Sequence, residues 1–137
     1  MRALSTILLG LIMTVLGGCQ GASDSPPAEV VAAGMPDDQW FQDEVVSSQV
    51  PVVVEFGATW CPPCRKLKPL LEDLSAKSEG KFKVVTIDID ERPNLASHFK
   101  VSPIPLLLLI DAGTVKRYQV GLADREELKL FATVPAK

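Results

Sequence analysis

An apolar run followed at once by two closely spaced cysteines decides the fold, and it reads Val52-Val53-Val54-Glu55-Phe56-Gly57-Ala58-Thr59-Trp60-Cys61-Pro62-Pro63-Cys64. The run over 50–56 is too apolar for a strand with one face in water, so it predicts a central strand covered on both faces. Leucines recur at helical spacing between 67 and 74 and predict a helix over 62–78 with one apolar stripe. Pro69 should kink this helix because it lacks an N–H and crowds the preceding turn.

The rest of the chain alternates between strand and helix patterns. Such alternation predicts an α/β domain built on one central mixed sheet of four to five strands, with helices on both faces. In chain order, we expect a strand at 28–33, a helix at 37–48 beginning after Pro36 with an acidic first turn, strands at 82–89, 106–110 and 115–120, and a helix at 124–131. An Asp111-Ala112-Gly113 turn precedes the last strand, and Asp124 with Glu127 has the spacing of a capping box.

Composition limits the classes of protein that this chain can belong to. Its 137 residues suffice for one domain core, and 47% hydrophobic with 23% charged residues is typical of a globular protein. The net charge of −3 provides no basic field, so we expect no nucleic-acid partner. Three cysteines are too few for a small disulfide scaffold, and an odd number leaves one cysteine that needs a separate explanation.

The first eighteen residues are typical of a secretion signal that is removed. Met1-Arg2 carries one positive charge, and residues 3–16 contain no charged residue. This run is shorter than the roughly 20 residues of a membrane-spanning helix but fits a signal peptide. It ends Leu16-Gly17-Gly18-Cys19, which resembles a bacterial lipoprotein signal, in which the cysteine is lipidated and becomes the mature N-terminus. The alternative is an uncleaved anchor, or a chance cysteine after an ordinary signal.

A lipidated Cys19 would have its sulfur in a thioether, which would account for the odd cysteine. Residues 19–27 then form the lipidated cysteine and a small, polar, proline-bearing tether, and the domain occupies 28–137. A tether of this length reaches only about 25–30 Å when extended, so we expect the domain close to the membrane, facing the periplasm or the cell exterior. Gln20 resembles the residue of lipoproteins retained in an outer membrane, where the envelope has one.

The two cysteines at 61 and 64 carry the chemistry. At a helix start they lie on one face, within the distance that permits a disulfide. Cys61 at the helix N-terminus meets unpaired N–H groups and the positive end of the dipole, which favours its thiolate. Pro62 and Pro63 are tolerated there but remove two donors, so the Cys64 N–H is the local donor that remains. The pair therefore suits disulfide exchange or, alternatively, a two-thiolate site for a soft metal such as Cu(I).

The stretch from Val52 to Cys64 is similar to the active-site strand and helix of the thioredoxin family. Similarity continues through Pro69, the Ile87-Asp88-Ile89-Asp90 strand end, the Val101-Ser102-Pro103-Ile104-Pro105 segment, Gly113 and Gly121, so it covers nearly all of the expected domain. The resemblance implies the thioredoxin fold and a disulfide oxidoreductase that acts on protein dithiols and disulfides. It also implies a monomer without a cofactor or a metal ion.

Residue roles follow from the same resemblance. Cys61 would be the attacking nucleophile and Cys64 the resolving thiol. Pro105 would be a cis-proline facing the pair, the alternative being a trans proline at a sheet edge, and Ile104 would offer its backbone to a substrate peptide. The residues implied to contact substrate are Trp60, Pro62, Pro63, Ile104 and Pro105. Leu122 would join Trp60 in an apolar rim, or would serve ordinary packing.

Glu55 is an acid in an otherwise apolar predicted strand. Burial of a carboxylate is costly and should raise its pKa toward neutrality, which suits a proton acceptor for Cys64. The family usually has aspartate here, so glutamate is longer by one methylene, and the lysine that commonly accompanies the acid corresponds to Thr86. The alternative is that Glu55 turns to the sheet edge and is solvated.

Other polar residues are expected on the surface. His98 lies in a short helical stretch after Pro93, and Arg65, Lys66 and Lys68 form a basic cluster that could also favour the Cys61 thiolate or an acidic partner. Zinc usually takes four ligands, and only His98 could add to the cysteine pair. The overall likeness favours a reductase over an oxidase or isomerase. A reductase outside the cytoplasm would need electrons from a membrane or extracytoplasmic redox partner.

Overall fold

The computed structural model describes residues 25–121 and 123–133. Within these ranges, the elements in chain order are α1 (Ala28–Ala32), α2 (Gln39–Phe41) with a π-helical continuation (Gln42–Val46), β1 (Val52–Gly57), α3 (Pro62–Lys77), β2 (Lys83–Asp88), α4 (Pro93–His98), β3 (Leu106–Asp111), β4 (Thr114–Val120) and α5 (Arg125–Ala132). The four strands form one sheet in the order β2-β1-β3-β4. β1 pairs with β2 in parallel and with β3 antiparallel, and β3 pairs antiparallel with β4. The expected α/β fold with a mixed sheet is confirmed.

Strand β1 separates two hydrophobic clusters, and all six of its residues are buried. Because successive side chains of a strand point to opposite faces, Val52, Val54 and Phe56 pack on one side and Val53 on the other. The first cluster includes Phe41, Val45, Leu95 and Phe99, and the second includes Leu67, Leu71, Leu74, Leu128 and Phe131. Glu55 and Gly57 therefore share the face of β1 that α3 and α5 cover.

Helix α3 confirms the leucine stripe. Leu67, Leu71 and Leu74 are buried, and Leu70 is partly buried. Pro69 lies inside this helix, where the expected kink stays a prediction. At the other end of the domain, Asp124 and Glu127 form the capping box expected from their spacing, with backbone and side-chain hydrogen bonds in both directions.

The strand expected at 28–33 is wrong, since these residues form helix α1. Alanine and glutamate favour a helix. Val30 is the one residue of α1 that is buried, so the segment contacts the core on one side of a helix and does not alternate between two faces as a strand would. Gly34, with a φ of 69°, ends the helix in the left-handed conformation typical of that position.

The helix expected at 37–48 is confirmed with narrower limits. It runs from Gln39 through the π-helical continuation to Val46. The Asp38 side chain caps it by accepting a hydrogen bond from the Phe41 N–H at 2.8 Å.

Several sequence expectations lie outside the described residues: the signal at 1–18, Cys19, the tether up to residue 24, and Leu122. In the part of the chain that the structure describes, no helix has the length and hydrophobicity to cross a membrane.

Candidate active site

The cysteine pair lies where β1 ends and α3 begins. Cys61 is the N-cap residue of α3, and Pro62 and Pro63 occupy the first helical positions. A short turn joins the strand to this cap, in which the Cys61 N–H donates to the Ala58 carbonyl at 3.1 Å. The β1-α3-β2 connection thus presents the N-terminus of α3 at the carboxyl end of two parallel strands.

Cys61 and Cys64 form a disulfide, with Cα atoms 5.3 Å apart. The Cys64 N–H donates to Cys61 Sγ at 3.3 Å, which confirms it as the local donor expected from the sequence. The unpaired N–H groups of a helix N-terminus and its dipole favour negative charge at the same atom. Cys61 Sγ is therefore the sulfur that the local structure stabilises as a thiolate after reduction.

Both sulfur-bearing residues are shielded, while their neighbour Trp60 is open to solvent. Cys61 and Cys64 are 3% and 4% exposed, and Trp60 is 60% exposed. The Trp60 indole is held in place because its Nε1–H donates to Asp90 Oδ2 at 2.7 Å. An exposed, fixed aromatic ring beside the pair offers an apolar surface to a partner.

Sequence reasoning missed the acid that fixes the turn before Cys61. Asp88 accepts from the Thr59 N–H at 3.2 Å through Oδ2 and from the Asp90 N–H at 2.9 Å through Oδ1. Arg65 Nη1 also donates to the Thr59 carbonyl at 3.0 Å. The available signal was the position of this acid near the end of the strand predicted at 82–89.

Pro105 is a cis-proline, as the resemblance implied, and the trans alternative is wrong. It is buried directly before β3, and its carbonyl accepts from the Gly121 N–H at 2.8 Å. Ile104 packs against the cluster that contains Cys61 and Cys64. The Ile104-Pro105 segment therefore lies beside the cysteine pair, as the resemblance implied.

Glu55 is 1% exposed, so the solvated alternative at the sheet edge is wrong. In the sheet register it lies between Thr86 of β2 and Leu107 of β3. Its Oε1 is buried and has no hydrogen-bond partner among the described residues. A carboxyl group in this state is favoured in its neutral form, because burial penalises charge that nothing pairs with.

Burial raises the pKa of Glu55 to about 7, an effect that the positive charge of Lys68 partly offsets and the negative charge of Asp88 increases. These groups line one cavity of about 390 Å³ that also reaches the second cysteine. Its lining residues are Glu55, Gly57, Ala58, Thr59, Cys64, Arg65, Lys68, Thr86, Asp88 and Glu91. Glu55 and Cys64 therefore line the same space, which is large enough for water.

Lys68 is the second residue that the sequence reasoning missed, since the basic cluster was expected to be solvated surface. It is exposed, yet it lines the Glu55 cavity from α3. Thr86, at the position to which the lysine implied by the resemblance corresponds, lines the same cavity from β2. Spacing was the signal that could have found it, because residues four apart on a helix share a face and Lys68 is four after Cys64.

The remaining metal-ligand candidates do not gather around the pair. No group of three or more histidine, cysteine, aspartate or glutamate side chains suited to a metal ion occurs within residues 25–121 and 123–133. His98 is half-buried, its Nε2 lies 3.0 Å from the Gly34 carbonyl oxygen, and its ring packs edge-on against Phe99.

Comparison with known proteins agrees with the site geometry. The sequence model described as Thioredoxin matches residues 33–134. Mouse mitochondrial thioredoxin is 45% identical over 91 residues, or 66% of this chain and 55% of that protein, so the chain spans about half the length of this relative. Thioredoxin of Rickettsia bellii is 41% identical over 91 residues, covering 66% of this chain and 87% of the relative. Thioredoxin 1 of a Nostoc species is 38% identical over 97 residues, covering 71% and 91%. The chain belongs to the thioredoxin family.

Proposed function

We propose that this protein is a thiol–disulfide oxidoreductase that reduces disulfides in other proteins outside the cytoplasm. The observation that carries the proposal is the Cys61–Cys64 disulfide at the N-terminus of α3, with the buried, unpartnered carboxyl group of Glu55 on the adjoining strand. The relatives named above are thioredoxins, and this agrees with the same chemistry.

The reaction begins with the reduced pair. The Cys61 thiolate attacks one sulfur of a substrate disulfide, a mixed disulfide forms, and the other substrate sulfur leaves as a thiolate that takes up a proton. The Cys64 thiol then loses its proton and attacks Cys61 Sγ. The intramolecular disulfide closes and the second substrate thiolate leaves, so two electrons pass from the pair to the substrate.

The two cysteines have different surroundings, and these assign the two roles. Cys61 is the N-cap residue, and its sulfur accepts the Cys64 N–H, so its thiolate is stabilised before substrate arrives. Cys64 lies one turn inside the helix and lines the Glu55 cavity. Its thiol therefore needs a base at the resolving step, when Cys61 is already bonded to substrate.

Glu55 is the base that we assign to that step. A carboxyl group with a pKa of about 7 exchanges a proton readily near neutral pH, whereas an ordinary glutamate would be too weak a base. Lys68 lines the same cavity and stabilises the carboxylate once it has formed.

Substrate would be held beside the pair. The exposed Trp60 ring, Pro62 and Pro63 form one side of the contact surface, and the Ile104-Pro105 segment would bind an extended peptide backbone on the other. Ile104 packs against the cysteine cluster, so a peptide bound to its backbone would pass close to Cys61.

Trapping of mixed disulfides tests the roles of the cysteines. Cys64→Ser should accumulate disulfide-linked adducts with substrate, because Cys61 still attacks but nothing resolves the product. Cys61→Ser should lose turnover without adducts. Both are measured by non-reducing electrophoresis and by reduction of a model protein disulfide, with Cys19→Ser as the control that keeps turnover. Equal loss of turnover without adducts in both variants would contradict the assignment. Wild-type protein that carries stoichiometric copper and has no turnover would favour a Cu(I) site.

We further propose that Cys19 is lipidated and anchors the protein to a bacterial membrane, with electrons supplied by a membrane or extracytoplasmic redox partner. The apolar run before Leu16-Gly17-Gly18-Cys19 supports this proposal. Wild-type protein expressed in a bacterial host with a labelled fatty acid should incorporate the label, and Cys19→Ser should not. Absence of label from the wild type, or equal label in the two proteins, would contradict lipidation.

A further inference from the structure

The carboxyl group of Glu55 occupies the space that a side chain at position 57 would fill. The two residues lie on the same face of β1, two positions apart. A Cβ atom built on Gly57 would lie 2.4 Å from Glu55 Oε1 and 3.2 Å from both Glu55 Cδ and Cys64 Cβ. A carbon and an oxygen that are not bonded do not approach to 2.4 Å. Any side chain at 57 would therefore displace the carboxyl group.

The backbone conformation at position 57 does not require glycine. The described glycines in the left-handed region are Gly34, Gly80, Gly113 and Gly121, whereas Gly57 pairs regularly with Asp88 at the end of β1. Glycine inside a strand weakens it, because it adds chain entropy and no packing. What this position requires is the absence of a side chain, because the Glu55 carboxyl group occupies the space where one would lie.

The groups facing the carboxyl group come from two elements. Helix α3 contributes Cys64, Arg65 and Lys68 to the cavity, and Thr86, Asp88 and Glu91 line it from β2 and the segment after it. The carboxyl group thus has two cations and the resolving cysteine on one side and two acids on the other. How far the Glu55 carboxyl group extends along β1 decides which of these side chains it approaches.

We propose that Gly57 is a positioning residue for Glu55, which leaves room for the longer acid to extend along β1 beside Cys64. Residues 55 and 57 then form a matched pair, in which shortening the acid and adding a methyl group at 57 compensate one another. This inference rests on the proposed function, because it explains how glutamate serves at the place where the family usually has aspartate.

The test compares wild type with Gly57→Ala, Glu55→Asp and the double variant. The measured quantity is the rate at which Cys64 resolves a preformed mixed disulfide on Cys61, between pH 5 and 9. We expect each single variant to slow resolution about tenfold or more and to shift the pH midpoint. The double variant should recover to within about threefold of wild type, because the added methyl group refills the space that the shorter acid vacates.

The attack step serves as the internal control. The rate at which Cys61 attacks substrate, measured with Cys64→Ser added to each variant, should stay the same, because neither residue 55 nor residue 57 lies at the Cys61 sulfur. A change in folding alone would slow attack and resolution together and would not move the pH midpoint of resolution.

Three outcomes overturn the inference: a Gly57→Ala variant with the wild-type rate and pH midpoint, effects that add in the double variant, or a double variant slower than Glu55→Asp. The last comparison holds even if Gly57→Ala alone does not fold. Failure of wild type to reduce a protein disulfide would instead contradict the proposed function, so the two failures are distinguishable.

Discussion

Two cavities lie at opposite ends of α3, on the same side of the sheet. The one at its N-terminus has about 390 Å³ and contains Glu55 and Cys64. The one at its C-terminus is larger, about 690 Å³, and has an apolar floor of Pro51, Leu74, Phe82 and Ala132. Lysine and arginine side chains surround that floor, namely Lys77, Lys81, Arg125 and Lys129.

The difference shows that chemistry in this fold follows buried polar groups and not the size of a cavity. In the larger cavity the cations are at the surface, where Asp73 pairs with both Lys77 and Arg125, and Glu126 pairs with Lys129. None of its described lining residues is a cysteine or a buried acid. In the smaller cavity a carboxyl group without a partner lies in the same space as a redox-active sulfur.

The largest effect should come from removing the buried acid. The pKa of Glu55 is about 7 in the fold, against 4.5 in the unfolded chain, so the folded protein holds a proton that the unfolded chain has lost between these pH values. Stability therefore falls as pH rises through this window, by about 3 kcal/mol in total. Glu55→Gln should lack this loss and gain that amount relative to wild type above pH 7.

Urea unfolding of the two oxidised proteins at pH 4.5 and pH 8 measures this effect, with Lys81→Met at the larger cavity as a control that should behave as wild type. A free-energy difference between Glu55→Gln and wild type that is the same at both pH values would contradict a raised pKa at Glu55.

An effect of about 2 kcal/mol is expected from Leu74→Ala in the floor of the larger cavity. Leu74 is 6% exposed and packs in the cluster that α3 and α5 share. Its truncation should cost stability at the low end for a buried leucine, because solvent can enter the open side of the site. Disulfide reduction by the folded variant at 25 °C should be unchanged. If its rate fell in the folded state, the two ends of α3 would not be independent.

The smallest effect should come from Lys68→Met. Lys68 lowers the pKa of Glu55, so its loss should raise that pKa further and move the pH midpoint of the resolving step to higher pH. Lys81→Met removes a lysine that lines the larger cavity, beyond the C-terminus of α3, and should leave the midpoint in place. A shift of the same size in both variants would mean that overall charge, and not the Glu55 cavity, sets the profile.

Much of this site is predictable because its signals are local in sequence. An apolar run, two cysteines at a helix start and a leucine stripe each specify an element and its buried face without knowledge of its neighbours. The strand predicted at 28–33 was wrong because a segment of three alanines, two valines and one glutamate fits either a strand or a helix, and only the packing of Val30 decides between them.

The features that sequence reasoning missed depend on distances between elements. That Glu55 is buried follows from its strand, but the collision between its carboxyl oxygen and a side chain at 57 needs the rotamer of Glu55. The role of Lys68 needs the distance between α3 and β1, since its residue type alone is typical of a solvated helix face. Spacing rules indicate that residue 57 shares a strand face with Glu55 and that Lys68 shares a helix face with Cys64, but they do not give the distances to the Glu55 carboxyl group.

The most direct test of the proposed reductase is the reduction potential of the Cys61–Cys64 pair. It would be measured on a soluble protein that begins after Cys19, equilibrated against glutathione or a reference dithiol. We predict a value of about −270 mV, as in thioredoxin, which would make the pair a reductant that needs a membrane electron donor. A value between about −120 and −180 mV would contradict the reductase and assign the protein to oxidation or isomerisation of disulfides.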